Sequence, residues 1–158
     1  VNNPRMMVGS QQIRIGVFGG SDCDIETYKK AREIGKLLAK EGVLVYCGGR
    51  GGVMEAACQG VFEENGMVVG ILPGSNCEKM NRYVTIPVAT GAGDARNNMI
   101  ANSIHGAIAI DGEYGTLTEI GHTLRQGKPV VGLETWDIDG VDVANSPKEA
   151  VSKIMELV

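Results

Sequence analysis

Apolar residues fall along this chain in short, nearly unbroken runs, separated by stretches in which they recur every three or four positions. The first run, IRIGVFG at 13–19, is rich in β-branched residues and stops at Gly-Gly, which predicts a buried strand. In the stretch that follows, Tyr28, Ala31, Ile34, Leu37 and Leu38 share one helical face; Asp24 is placed to cap the start and Gly42 to stop it. The alternation then repeats. Strands are predicted at 43–47, 67–72, 106–110 and 129–133, with a shorter one in YVTIPV at 83–88. Helices are predicted in 53–66, 93–104 and 116–127. The last helix carries a capping box, with Ser146 as N-cap, Pro147 at the first position and Glu149 at the third.

The strands are apolar throughout rather than alternating, as expected where helices cover both faces of a parallel sheet. The pattern predicts a three-layer, doubly wound α/β sandwich with a mostly parallel sheet. VNNPRMMVGSQQ, residues 1–12, reads as a flexible N-terminal tail, and 13–158 as a single domain. Such sheets bind ligands outside the carboxyl ends of their strands. Those ends hold Gly19, Gly20 and Ser21, then Gly48, Gly49 and Gly52, then Gly112, Gly115 and Thr116. Each loop leads into a helix, whose first N–H groups are unpaired and partly positive, and glycine lets an anion approach them. Neither G-x-G-x-x-G after the first strand nor G-x-x-x-x-G-K-[ST] occurs, which argues against a dinucleotide cofactor and a nucleoside triphosphatase.

Bulk composition narrows the partners. Lys plus Arg number 15 against 19 Asp plus Glu, a net charge of −4 without a basic run, so nucleic acid is not an expected partner. No apolar run approaches the roughly 20 residues of a membrane span, and the first residues lack a signal-peptide core. Cys23, Cys47, Cys58 and Cys77 form no C-x-x-C, and His105 and His122 sit at no metal or triad spacing. These features predict reduced thiols, a cytoplasmic protein, no metal site and no resident cofactor.

VYCGGRGGVMEAACQG, with ARNNMIANSIHGAIAIDGEYGTLTEIG, resembles the Lonely Guy family of phosphoribohydrolases, once labelled lysine decarboxylases. The resemblance runs from about residue 13 to residue 133. Gly112, Gly115, Thr116 and Glu119 match the family's Pro-Gly-Gly-x-Gly-Thr-x-x-Glu; Arg96 stands at the place of its arginine. Gly48, Gly49, Gly52 and Met54 match its second glycine motif. The resemblance implies a Rossmann-like, nucleotide-binding fold, assembly as a homodimer or homotetramer, and cleavage of a nucleoside 5′-monophosphate to base and ribose 5-phosphate. Related proteins of this fold carry molybdenum cofactor, a pterin phosphate. The chain departs from the pattern at Cys47, Glu55, Asn97, Asp111 and Glu113. A carboxylate about 5 Å from a phosphate, in an effective dielectric of roughly 20, costs about 3 kcal/mol per unit charge.

On this reading Glu119 and Arg96 are the candidate catalytic pair. The carboxylate would stabilise a ribosyl cation and the guanidinium would grip phosphate or ribose hydroxyls. Thr116-x-x-Glu119 is equally a capping box, and Arg96 could equally pair with Asp94. Nothing in the sequence marks a Schiff-base lysine with a pyridoxal-phosphate pocket. Two functions follow: a phosphoribohydrolase, or a non-catalytic binding or carrier protein for a nucleotide or pterin phosphate. Trp136 is undecided among core, interface and ligand stacking.

Overall fold

The computed structural model describes residues 12–158. Of the expected tail, residues 1–11 lie outside the described residues; Gln12 donates its side-chain amide to the Gly42 carbonyl at 3.2 Å. Among the described residues seven strands form one sheet: β1 (Arg14–Gly19), β2 (Leu44–Cys47), β3 (Val68–Leu72), β4 (Ile86–Ala89), β5 (Gly106–Ile110), β6 (Val130–Leu133) and β7 (Val141–Val143). Their order is β4-β3-β2-β1-β5-β6-β7, and every pairing is parallel. Among the described residues five α-helices cover the sheet: α1 (Ile25–Lys40), α2 (Val53–Glu63), α3 (Arg96–Ser103), α4 (Tyr114–Arg125) and α5 (Pro147–Leu157). This is the doubly wound, Rossmann-like sandwich, with each expected strand and helix present. β7 was not foreseen.

Strand pleat divides the core in two. Ile15, Val17, Ile108 and Ile110 face α1, α2 and α5, together with Ile34, Leu38, Val61, Val151 and Ile154. Phe18, Ala107 and Ala109 face the other way, with Ile100 and Ile104 of α3 and Ile120 of α4. Asp24 caps α1 by accepting from the Thr27 N–H at 2.8 Å. Ser146 caps α5 by accepting from the Glu149 N–H at 3.1 Å, while Glu149 Oε2 accepts from Asn145 N at 2.9 Å. The return arm of this box thus lands one residue before the cap. α1 and α2 meet at two glycines: an added Cβ at Gly35 would overlap the Ala57 carbonyl, and one at Gly60 the Arg32 carbonyl.

Strand order reverses between β1 and β5. The loops leaving these neighbours lead to α1 and α4 on opposite faces, so a crevice opens between them at the carboxyl edge.

Candidate functional site

The crevice is a cleft of about 340 Å³. Gly19, Gly20, Ser21 and Asp22 form one wall after β1; Asp111, Gly112 and Glu113 form the facing wall after β5. The two walls lie close together: a Cβ on Gly20 would stand in ordinary contact, 3.8 Å, with the Gly112 Cα. Arg50 enters from the loop after β2, and Met54 from the start of α2. Asp94, Arg96 and Asn97 come from the start of α3, and Gly115, Thr116 and Glu119 from α4.

The entry to α4 is set by two left-handed residues, Asp111 at φ 51° and Gly112 at φ 97°. A side chain at Gly112 would also overlap Thr116. This turn starts the helix at Tyr114, two residues before the predicted start, with Glu113 as N-cap and its carbonyl accepting from Leu117 N at 3.0 Å. Thr116 is therefore the third helical residue and not the cap, and Glu119 does not close a capping box. The early N–H groups of α4, including those of Gly115 and Thr116, have no intrahelical acceptor, and at Gly115 a Cβ would meet nothing within 4 Å.

Glu119 is 7% exposed and accepts no hydrogen bond among the described residues. Burial pushes its carboxyl up to about 8; the Arg96 guanidinium opposes that rise and the Cys47 thiol adds to it. At neutral pH it is mostly a neutral acid. Arg96 is held by the sheet edge: Nη1 donates to the carbonyls of Gly48 and of Ile71, the latter at 2.8 Å. Burial lowers its pKa, while Glu119 raises it. The alternative ion pair with Asp94 does not form among the described residues.

Gly48, Gly49 and Gly52 lie off the cleft wall. A Cβ on Gly48 would stand 2.7 Å from Met54 Sδ, one on Gly49 2.9 Å from Leu72, and one on Gly52 would overlap the Gly20 carbonyl. Gly49 and Gly52 also have positive φ, 75° and 61°. Their absent side chains let the loop pack, and the loop offers Arg50 to the cleft. Asp22, Arg50, Asp94 and Asn97 line the cleft without having been singled out as site residues. Arg50 had a signal, a lone cation inside GGRGG, and Asn97 stood beside Arg96. Asp111 and Glu113 are exposed along the rim, and neither forms an ion pair among the described residues. Trp136 donates Nε1–H to the Glu113 carbonyl at 3.1 Å and packs on Tyr114, with centroids 5.9 Å apart, so it braces the α4 entry from outside the cleft. His105 accepts from Arg14 N at 3.0 Å and burial lowers its pKa, a structural role. Among the described residues no three His, Cys, Asp or Glu side chains cluster as a metal site, and no helix is long and apolar enough to cross a membrane.

An uncharacterized protein of Archaeoglobus fulgidus is 41% identical over 141 residues, 89% of this chain and 93% of that one. The molybdenum cofactor binding protein of Rippkaea orientalis superposes with TM-score 0.87 at 34% identity, over 92% of this chain and 97% of that one. The molybdenum cofactor carrier protein of Chlamydomonas reinhardtii superposes with TM-score 0.83 at 33% identity, over 92% and 98%. The family model described as the SLOG cluster4 family matches residues 12–157, and the chain belongs to that family, a relative of the Lonely Guy proteins.

Proposed function

We propose that this protein binds and carries a phosphate-bearing heterocycle, of which molybdenum cofactor is the leading candidate, and does not cleave it. The observation that carries this reading is the cleft itself, where the unpaired N–H groups at the start of α4 face Ser21 and Arg50, in a fold shared with molybdenum cofactor proteins. Arg96, the expected partner of Glu119, spends Nη1 on two backbone carbonyls. The similarity to molybdenum cofactor proteins, at 33–34% identity over 92% of the chain, points the same way.

The phosphate sits at the start of α4, on the N–H groups around Gly115 and Thr116, where the helix dipole favours an anion. Ser21 and Arg50 supply further donors from the opposite side. Glu119 lies three residues beyond Thr116, about 4.5 Å further along the helix axis, so it faces the heterocycle and not the phosphate. As a neutral acid it donates one hydrogen bond and accepts another, which suits a ring edge of N–H and carbonyl groups. Asp111 and Glu113 stand at the rim and tune which anions enter.

We further infer a homo-oligomer, a dimer or tetramer. Met99 on α3 and Ile86 and Val88 on the β4 edge are 42%, 39% and 40% exposed, an apolar strip that a second copy would cover.

The test of the carrier reading is loading. Purified protein incubated with molybdenum cofactor released from a donor enzyme should co-elute with molybdenum and pterin, and should pass the cofactor to a cofactor-free acceptor enzyme. Nucleoside 5′-monophosphates should yield no ribose 5-phosphate. Turnover to ribose 5-phosphate that is lost in Glu119→Gln would favour the hydrolase instead.

A further inference from the structure

A pair of buried thiols lies outside the set of residues that line the cleft. Cys47 ends β2 and Cys58 lies in the second turn of α2; both are 0% exposed, and their sulfurs are 3.4 Å apart. Each sulfur has a further polar partner. Gly49 N donates to Cys47 Sγ at 3.3 Å, and Asn81 Nδ2 donates to Cys58 Sγ at 3.5 Å. Asn81 Nδ2 also donates to the Arg50 carbonyl at 2.8 Å, and Asn81 N to the Gly49 carbonyl at 2.8 Å. The two sulfurs thus share one hydrogen-bond network with the loop that brings Arg50 to the cleft. Cys23 and Cys77 are free and make no sulfur–sulfur contact among the described residues.

Two small core residues would not need this arrangement. A disulfide holds its sulfurs about 2.0 Å apart, so closing this pair asks for about 1.4 Å of approach. Either sulfur can donate in their mutual contact; that contact lowers the Cys58 pKa against its burial, and Asn81 adds to the effect. Cys58, whose sulfur also receives the Asn81 amide, is taken as the sulfur that reacts first.

We propose that Cys47 and Cys58 form an oxidative modification site that closes to an intramolecular disulfide on reaction with a peroxide. The Cys58 sulfur attacks one peroxide oxygen; the O–O bond breaks, Cys58 becomes a sulfenic acid and the first water leaves. The Cys47 sulfur then attacks the sulfenic sulfur. The S–S bond forms as the S–O bond breaks, and the thiol proton departs with the hydroxide as a second water. Two thiols are oxidised and the peroxide is reduced to two waters. The bridge pins the end of β2 to α2 at the base of the 48–52 loop.

Peptide mapping decides it. The reduced full chain is treated with hydrogen peroxide at a dose that converts exposed Met99 to its sulfoxide, then unfolded, alkylated and digested without reductant. The expected result is loss of two of the four free thiols, one linked peptide pair joining Cys47 to Cys58, and full recovery after dithiothreitol. In Cys47→Ser the sulfenic acid has no partner and should be trapped on Cys58 by dimedone. If that variant does not fold, the wild-type map stands alone. Recovery of both Cys47 and Cys58 as free thiols at that dose, or bridges confined to Cys23 and Cys77, overturns the proposal.

Discussion

Glu119 gives the folded chain a pH dependence of its own. Its carboxyl has an ordinary value of 4.5 and is pushed up to about 8 in the fold by burial. Between those values the unfolded chain holds fewer protons than the folded one, so this residue makes stability fall as pH rises from about 4.5 to about 8, and adds no slope above. Glu119→Gln removes that loss. The variant should match wild type near pH 4.5 and exceed it at pH 9, by about 1.4 kcal/mol for each unit that the pKa is displaced. Urea unfolding at the two pH values measures this; an equal difference at both would mean that the carboxyl ionises normally in the fold. Glu113 acts at the rim. Glu113→Gly should strengthen binding of phosphate-bearing ligands, by no more than about two decades. Weaker binding in a calorimetric titration would make the glutamate a ligand contact. The residues expected from the loops after β1 and β5 and from α3 and α4, Ser21, Arg96, Gly112, Gly115, Thr116 and Glu119, all line the cleft. Gly48, Gly49 and Gly52 looked the same in sequence and do not. What separates them is which neighbour fills the space of a missing Cβ, and that neighbour comes from elsewhere in the chain: Leu72 for Gly49, Gly20 for Gly52.

At the scale of elements, apolar runs and caps located the strands and helices because each signal is local. The exceptions have local causes too. α4 starts at Tyr114 because Asp111 adopts φ 51°, which an aspartate tolerates but does not announce. β7 is a three-residue edge strand, VDV, whose central aspartate hides the run; only its pairing with β6 makes it a strand. The α1–α2 contact was not readable at all, since Gly35 and Gly60 look like weak points in helices. In isolation Gly35→Ala should raise helix stability by about 1 kcal/mol. Here the new methyl meets the Ala57 backbone, and overpacking of this kind costs about 1–3 kcal/mol. Gly35→Ala should therefore lower the urea midpoint with an unchanged slope; a raised midpoint would mean that the helices separate freely.

For the whole molecule, the parallel order β4-β3-β2-β1-β5-β6-β7 places the one reversal between β1 and β5, and the cleft follows from it. Strand order is not written in any local pattern, but a glycine loop after each of two strands marked the edge where the ligand would lie. The homo-oligomer proposed above would cover the exposed strip of Ile86, Val88 and Met99. Light scattering should give at least a dimer, and Val88→Lys should shift it toward the monomer; a wild-type monomer across a wide concentration range would leave that strip without a partner copy. The central claim is that the cleft holds a phosphate-bearing heterocycle intact. Gel filtration of the protein after incubation with molybdenum cofactor, with molybdenum, pterin and ribose 5-phosphate assayed across the peak, tests it most directly. The account predicts molybdenum and pterin co-eluting with the protein, sharply reduced in Gly112→Ala, and no ribose 5-phosphate from any nucleoside monophosphate supplied in a parallel run. A peak free of pterin, together with catalytic release of ribose 5-phosphate, would contradict it.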